Sequence, residues 1–181
     1  YKVKTSYALN GSRSDVINII KLFYKYYSEV IEKSFTNNPI DSKKIISSYS
    51  ELTDRVIESI IYTCEEVFLE KSAKNKLEKF SVLSVGGYGR GQMAPYSDVD
   101  ILFLVPTKIT VRITSIIETT LYILWDLKLK VGHATRNIRE CIELAKDDFT
   151  IRTSLLESRL IHGNKALAQN LENELWEKVF K

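Results

Sequence analysis

Two aspartates lie two positions apart at the start of an apolar run in the middle of the chain. Asp98 and Asp100 lead directly into the run Ile101 to Val105, which predicts a β-strand. Because side chains alternate along a strand, both carboxylates would project from the same face. Two like charges this close repel each other, and binding of a hard divalent cation, Mg²⁺ or Mn²⁺, is the usual way to keep both ionised. The pair therefore predicts a metal-binding site.

A glycine-rich stretch precedes the aspartates and follows another apolar run. The run Val82 to Val85 enters Gly86 and Gly87, and a turn containing Pro95 then leads to the carboxylates. Residues without a Cβ let the backbone approach a ligand closely and offer N–H groups to phosphate oxygens. The Lys-Ser/Thr of a Walker A motif and the Gly-x-Gly-x-x-Gly spacing of a dinucleotide site are both missing. A phosphate cradle beside metal-binding carboxylates indicates nucleotide chemistry.

Two polar side chains of this turn could contact phosphate. The guanidinium of Arg90 has a fork geometry that suits phosphate oxygens, the alternative being a solvated turn residue. The hydroxyl of Ser97 either binds a phosphate or orders the turn through a bond to the backbone. Tyr88 is expected to be structural and to pack the turn onto the sheet.

Three blocks of sequence carry a family likeness in order and spacing. They are Gly86-Gly87-Tyr88-Gly89-Arg90-Gly91 with Ser97-Asp98-Val99-Asp100, Leu124-Trp125-Asp126 with Lys130 to Arg136, and Asp148-Phe149-Thr150 with Leu156-Glu157-Ser158-Arg159. This pattern resembles the nucleotidyltransferase superfamily of the DNA polymerase beta type. It is most similar to the N-terminal catalytic domain of bacterial PII uridylyltransferases. The resemblance covers the chain from Phe80 to Asn164.

The resemblance implies an activity, a partner and a set of site residues. The implied reaction transfers UMP from UTP to a tyrosine hydroxyl of the PII signalling protein by a two-metal mechanism, with release of pyrophosphate. The implied residues are Asp98 and Asp100 as catalytic metal ligands, and Gly86, Gly87, Arg90 and Ser97 as nucleotide contacts. Two alternatives stay open: a nucleotidyltransferase with a different acceptor, and a catalytically silent nucleotide-binding regulatory module.

The superfamily pattern usually includes a third carboxylate on a neighbouring strand, and this chain departs from it. Lys130 occupies the position where that acid is expected, although some uridylyltransferases of the family also resemble this chain in having a basic residue there. Asp148 is the next candidate, with Asp126 and Glu157 after it. Each of these three acids has an alternative role as a helix cap or a salt-bridge partner.

Two further residues are expected near the site. His133 would act as a base or a phosphate contact, or would be a hydrogen-bonded structural histidine. Arg136 follows it by three positions on the same predicted strand. Both are additional site candidates together with Asp148.

Composition and charge indicate an ordinary globular protein of 181 residues, 44% hydrophobic and 27% charged. A net charge of +3 with interspersed acids does not predict nucleic-acid binding. No apolar run approaches the length of about 18 residues needed to cross a membrane, and no signal peptide begins the chain. We therefore expect a cytoplasmic protein without a membrane partner, in which Cys64 and Cys141 are reduced, buried thiols.

Periodicity predicts an α+β fold in which a small mixed sheet with covering helices lies between N-terminal and C-terminal helices. Two amphipathic helical patterns occupy the N-terminal part, the second reaching Val67, and a polar joint from Lys71 to Lys79 enters the sheet. A strand is predicted from Leu127 to Arg136. A helix is predicted to begin at Asn137, an N-cap that forms a capping box with Glu140. Further helices are predicted over 150–161 and 166–180. These divisions define an N-terminal helical segment (1–75), a nucleotidyltransferase core (76–137) and a C-terminal helical segment (138–181).

Overall fold

The structure, a computed structural model, describes residues 13–37, 42–65 and 79–181. Two long helices come first, and β-strands and helices then alternate for most of the remaining chain. In chain order the elements are α1 Arg13–Asn37, α2 Ser42–Thr63, β1 Ser81–Ser84, α3 Gly86–Gly89, β2 Val99–Leu104, α4 Val111–Asp126, β3 Val131–Arg136, α5 Ile138–Asp147, α6 Phe149–Leu156, β4 Arg159–Gly163 and α7 Lys165–Lys178.

The strands form one mixed sheet in the order β3-β2-β1-β4. Strand β1 is antiparallel to both of its neighbours, β2 and β4, whereas β2 is parallel to β3. A crossover through a helix is what a parallel pair requires, and α4 supplies it between β2 and β3. The predicted α+β fold with a small mixed sheet and covering helices is confirmed.

Each face of the sheet has its own hydrophobic core, because apolar residues occupy both faces of the central strands. Val82 and Ile101 belong to a core shared with α1, α2 and α4. Leu83 and Leu102, the neighbouring positions, belong to a second core shared with α5, α6 and α7. Strands buried on both faces read as continuous apolar runs, which explains the unbroken sequence of β2.

The C-terminal part differs from the prediction at β4. The predicted helix over 150–161 ends at Leu156, and Arg159–Gly163 is instead the edge strand that pairs with β1. Five residues with two apolar positions, Leu160 and Ile161, carry too short a pattern to separate a strand from a helix. Pairing with β1, about 80 positions earlier in the sequence, decides the conformation.

The strand predicted from Leu127 begins only at Val131. Helix α4 ends at Asp126, and Lys128 adopts the left-handed conformation with φ 60° in the turn that follows. The N–H groups of Lys128 and Leu129 donate to carbonyls of the last turn of α4, those of Trp125 and Leu124. The apolar residues Leu127 and Leu129 pack on the first core from this turn rather than from a strand.

Several smaller predictions are confirmed. Asn137 and Glu140 form a reciprocal capping box at the start of α5, with bonds of 3.0 and 2.8 Å. Cys64 and Cys141 are buried thiols. Val67 and the joint 71–78 lie outside the described residues. In the part of the chain that the structure describes, no helix has the length and apolar character to span a bilayer.

Candidate active site

The aspartate pair lies where β2 begins, between β1 and β3. The N–H of Val85 donates to the carbonyl of Asp100 at 3.1 Å on one side, and the N–H of Val99 donates to the carbonyl of Lys130 at 2.8 Å on the other. Asp98 immediately precedes the strand, which starts at Val99. By strand alternation Asp100 shares a face with Leu102, on the side of the sheet covered by α5 to α7.

The two carboxylates interact electrostatically. Burial raises the pKa of Asp100 above its ordinary value, and the negative charge of Asp98 raises that pKa further. Asp98 itself is exposed, while Asp100 is half-buried. The charged form of Asp100 is therefore less favourable in the folded chain than in water, and a nearby cation would offset that.

Bare backbone flanks the carboxylate of Asp100 on both sides. A Cβ built on Gly86, whose φ is +58°, would lie 3.6 Å from Oδ2 of Asp100. A Cβ built on Gly132 of β3 would lie only 2.3 Å from Oδ1, closer than any real contact. The first glycine is required by its left-handed backbone and the second by close approach. Together they leave the carboxylate accessible beside a backbone turn.

This donor set fits a divalent cation that keeps other ligands. Mg²⁺ is usually held by one or two carboxylates and retains waters and substrate phosphate oxygens. Across the described ranges 13–37, 42–65 and 79–181, no group of three or more histidine, cysteine, aspartate or glutamate side chains is placed to hold a metal ion. Among the described residues, Asp98 and Asp100 are the carboxylates that stand together at the start of β2.

The three acids considered as a third ligand have other partners. Asp148 is the N-cap of α6 and accepts bonds from the N–H groups of Thr150 and Ile151 at 2.7 and 3.1 Å. Asp126 pairs with Lys21 of α1 at 3.2 Å. Glu157 pairs with Arg90. Continuing the β2–β3 register by one residue places the backbone of Lys130 opposite that of Asp98.

Arg90 closes the glycine turn, which forms the short helix α3. Its Nη1 lies 2.5 Å from Oε2 of Glu157, and its Nε donates to Oε1 of Gln92 at 3.2 Å. A Cβ on Gly87 would come within 3.7 Å of Nη2, so the guanidinium folds back over the turn. Arg90 therefore lies at the predicted phosphate cradle with a carboxylate as its present partner.

Ser97 uses its hydroxyl within the turn. The Oγ donates to the carbonyl of Ala94 at 2.7 Å, and the backbone N–H of Ser97 donates to the same oxygen at 3.1 Å. Of the two roles that the sequence left open, this geometry supplies turn ordering directly. The residue still lies one position before the acid pair.

The structure does not bring His133 or Arg136 to the carboxylates. His133 is in register with Ile101, which belongs to the core on the opposite face from Asp100. Its ring centroid lies 6.1 Å from that of Trp125 in α4. Arg136 is in register with Leu104, four residues beyond Asp100 and so about 13 Å further along the strand. These positions follow from strand register, which periodicity alone did not provide.

Two residues that sequence reasoning did not single out as functional contact the glycine turn. Asp54 of α2 and Arg159 of β4 form an ion pair at 2.7 Å, and both contact Tyr88. They are 105 positions apart, so no local spacing could have joined them. The buried Tyr88 is structural, as predicted.

The mixed sheet and the acid pair beside a glycine turn are typical of nucleotidyltransferase domains. Comparison with known families agrees with this class. The model of the nucleotidyltransferase domain matches residues 64–162. The chain belongs to the nucleotidyltransferase domain family, whose members generally use divalent metals.

Curated relatives place the chain more narrowly. It is 41% identical over 169 residues to the bifunctional uridylyltransferase/uridylyl-removing enzyme of Ruegeria pomeroyi, and 42% identical over 170 residues to the enzyme of that name from Caulobacter vibrioides. Both alignments cover 93% of this chain but only 19% and 18% of the relatives. The chain thus spans about a fifth of the length of these relatives, and it is homologous to them over that part.

Solved structures show more distant likenesses. A toxin–antitoxin crystal structure with AMP-PNP aligns at a TM-score of 0.40 with 13% sequence identity, covering 66% of this chain and 84% of that one.

Proposed function

We propose that this chain transfers UMP from UTP to a tyrosine hydroxyl of the PII signalling protein. The observation that carries the proposal is the position of the acid pair. Asp98 and Asp100 stand at the start of β2 with the carboxylate of Asp100 between the backbone at Gly86 and at Gly132. Homology to uridylyltransferases over 93% of the chain supports the choice of nucleotide.

Different residues of the chain would bind the metal ion and the triphosphate. Asp98 and Asp100 would hold Mg²⁺ or Mn²⁺, which when bound neutralises phosphate charge and lowers the pKa of a nearby hydroxyl. The backbone N–H groups at Gly86 and Gly87 would bind triphosphate oxygens, for which glycine allows close approach. Arg90 would exchange Glu157 for the triphosphate, and Ser97 would keep the acid pair at the turn.

The reaction then needs positioning more than a protein nucleophile. The tyrosine oxygen attacks the α-phosphorus, the bond from that phosphorus to the bridging oxygen breaks, and pyrophosphate leaves with the electron pair. The hydroxyl proton is released to solvent. Placement of the two reactants and fixed charges at the phosphates supply the rate acceleration in such sites.

A labelling assay tests this proposal. The chain is incubated with PII, Mg²⁺ and either UTP or ATP, each labelled at the α-phosphate. We expect label on PII from UTP, and none on a PII variant whose acceptor tyrosine is phenylalanine. The Asp98→Ala variant is the inactive control and should keep the circular dichroism spectrum of the unaltered chain. Transfer from ATP alone would contradict the proposal.

A silent nucleotide-binding module is the second candidate, because the described residues show only two acids at the site and Arg90 already has a partner. Calorimetry with UTP and Mg²⁺ together with a pyrophosphate-release assay separates the two candidates. Binding with release in the presence of PII supports transfer. Binding without release supports the silent module, and release with another acceptor indicates a different nucleotidyltransferase.

A further inference from the structure

A charged cluster joins three elements underneath the glycine turn. Nη1 and Nη2 of Arg159 in β4 lie 2.7 and 3.1 Å from the two carboxylate oxygens of Asp54 in α2. The hydroxyl of Tyr88 in α3 donates to the same carboxylate at 2.7 Å. Bidentate arginine–carboxylate pairs of this kind fix orientation as well as distance.

Arg159 also contacts the turn itself. Its Nε donates to the carbonyl of Gly89 at 3.4 Å and its Nη2 lies 3.5 Å from the carbonyl of Tyr88. These bonds are long, but both reach the last carbonyls of α3, and the guanidinium carbon lies 5.7 Å from the centre of the Tyr88 ring. One guanidinium thus holds both the backbone and the aromatic ring of the turn.

The turn is closely packed on this side. Tyr88 is 1% exposed, and a Cβ on Gly89 would lie 2.1 Å from the carbonyl oxygen of Glu157. Burial and the charge of Asp54 raise the pKa of Tyr88, so its hydroxyl stays protonated and able to donate. The buried end of α3 is therefore fixed, while Gly86 at the other end lies beside Asp100.

We propose that Asp54 and Arg159 are positioning residues, which hold the glycine turn in the conformation that accepts nucleotide phosphates. The inference rests on the proposed function for the identity of the ligand. A turn with several glycines loses much conformational freedom when it is ordered. Fixing it before the nucleotide arrives removes that cost from binding.

The pair reaches beyond the matched family domain. The family match begins at residue 64, so it contains Arg159 but not Asp54. Helix α2 therefore contributes one half of the ion pair that holds the phosphate turn. Neither residue contacts the acid pair in the described contacts, which separates a role in positioning the turn from a role in holding the metal.

The test compares Arg159→Lys and Asp54→Asn with Ile57→Val. Lysine keeps the charge but not the bidentate fork, and asparagine keeps the size but not the charge. Ile57 is fully buried in the same helix, and its loss of one methyl group costs about 1 kcal/mol while leaving the polar groups of Asp54, Arg159 and Tyr88 in place. Ile57→Val therefore shows how much of each measured effect a general loss of stability would cause.

Two measurements on these variants decide the inference. The first is hydrogen exchange at the amides of Gly89, Arg90, Gly91 and Gln92, which are hydrogen-bonded within the turn, in the nucleotide-free chain. The second is the dissociation constant for UTP with Mg²⁺, measured beside the thermal shift caused by Mg²⁺ alone. We expect faster turn exchange and about 10-fold weaker UTP binding in Arg159→Lys and Asp54→Asn, with the Mg²⁺ shift retained.

One outcome would contradict the positioning role of Asp54 and Arg159. If exchange at the turn and UTP affinity in both variants equal those of Ile57→Val, the pair is merely structural and the inference is wrong. Should Arg159→Lys fail to fold, Tyr88→Phe removes only the bond to Asp54 and should shift both measurements in the same direction by less. If the unaltered chain does not bind UTP, the proposed function fails, and the exchange measurement alone decides whether the pair orders the turn.

Discussion

Asp100 carries a charge that its surroundings disfavour. Burial and the neighbouring Asp98 raise its pKa, so the ionised carboxylate makes an unfavourable contribution to folding at pH values above the pKa in the unfolded chain. That contribution disappears as the pH falls below the ordinary carboxyl range, where the group is protonated in both states. At neutral pH, a bound cation would turn this unfavourable contribution of the ionised carboxylate into a favourable one. Without a bound cation, the folded chain is therefore less stable at neutral pH than it would be with a neutral residue at position 100.

Asp100→Asn should therefore separate stability from function. Without a divalent cation at pH 7, we expect the melting temperature to rise slightly, and the difference from the unaltered chain to vanish at low pH. Mg²⁺ should raise the melting temperature of the unaltered chain but not of the variant. Transfer should fall by roughly 100-fold or more, as for other removals of a charge-stabilising group. The measurements are thermal melts with and without Mg²⁺ and pyrophosphate release.

Asp148→Asn is the matched control, because asparagine caps a helix about as well as aspartate. It removes a carboxylate from the same half of the chain and should retain stability, the Mg²⁺ shift and transfer. A lost Mg²⁺ shift in this variant would make Asp148 a metal ligand and overturn the interpretation of it as a cap.

Arg90 and Glu157 make a second prediction at the residue scale. Both side chains are partly exposed, with relative accessibilities of 47% and 31%, so their ion pair contributes about 0.2–1 kcal/mol. Glu157→Gln weakens the competitor for Arg90 and should tighten UTP binding by up to about 5-fold, the binding equivalent of that energy. In an Arg90→Ala background the same change should have no effect. Calorimetry with UTP and Mg²⁺ on the four chains gives the coupling directly, and an equal effect in both backgrounds would contradict the exchange of partners.

At the scale of elements, the parallel pair β2–β3 decides which residues meet. Its register sets Gly132 against Asp100 and Ile101 against His133. A shift by one residue would exchange the faces, bringing a histidine to the acid pair and a glycine to α4. The presence of glycine at position 132 is therefore a matter of space around Asp100.

Gly132→Ala should displace the carboxylate of Asp100. The added Cβ would lie 2.3 Å from Oδ1, and the aspartate side chain must move to accommodate it. We expect the Mg²⁺-induced thermal shift and transfer to be strongly reduced in a folded protein. His133→Ala changes the next residue, whose side chain lies on the opposite face, and should keep both. Retention of the Mg²⁺ shift in Gly132→Ala would show that the carboxylate does not need this space.

Local features of the site were predictable and non-local ones were not. The acid pair and the glycine turn lie within about 15 residues of each other, so strand alternation and turn chemistry sufficed to join them. Strand β4, the contact between Asp54 and Arg159, and the face occupied by His133 all depend on which strands pair and in what register. Periodicity does not contain that information, and the short run at Leu160 and Ile161 was accordingly predicted as part of a helix.

At the scale of the whole molecule, the two N-terminal helices belong to the same core as the sheet. Val56, Ile57, Ile60 and Ile61 of α2 are fully buried in the cluster that contains Val82 and Phe103. Tyr88 of the turn belongs to that cluster as well. The hydrophobic core thus extends beyond the span 64–162 that the family model matches. Helix α2 thus supports the glycine turn through Asp54 as well as forming part of the core, and α1 packs on the same core.

Removal of residues 1–63 should consequently prevent the rest from folding as a cooperative unit. The truncated chain would expose the sheet face that α2 covers and would leave Arg159 without Asp54. We expect loss of the cooperative urea transition and of UTP binding. In the full chain, Ile57→Ala should cost about 2–5 kcal/mol of unfolding free energy. Arg55→Ala, on the exposed side of the same helix, should cost less than about 0.5 kcal/mol. A truncated chain with an unchanged urea midpoint would show that the sheet and C-terminal helices are stable alone, and that the N-terminal helices are an independent segment.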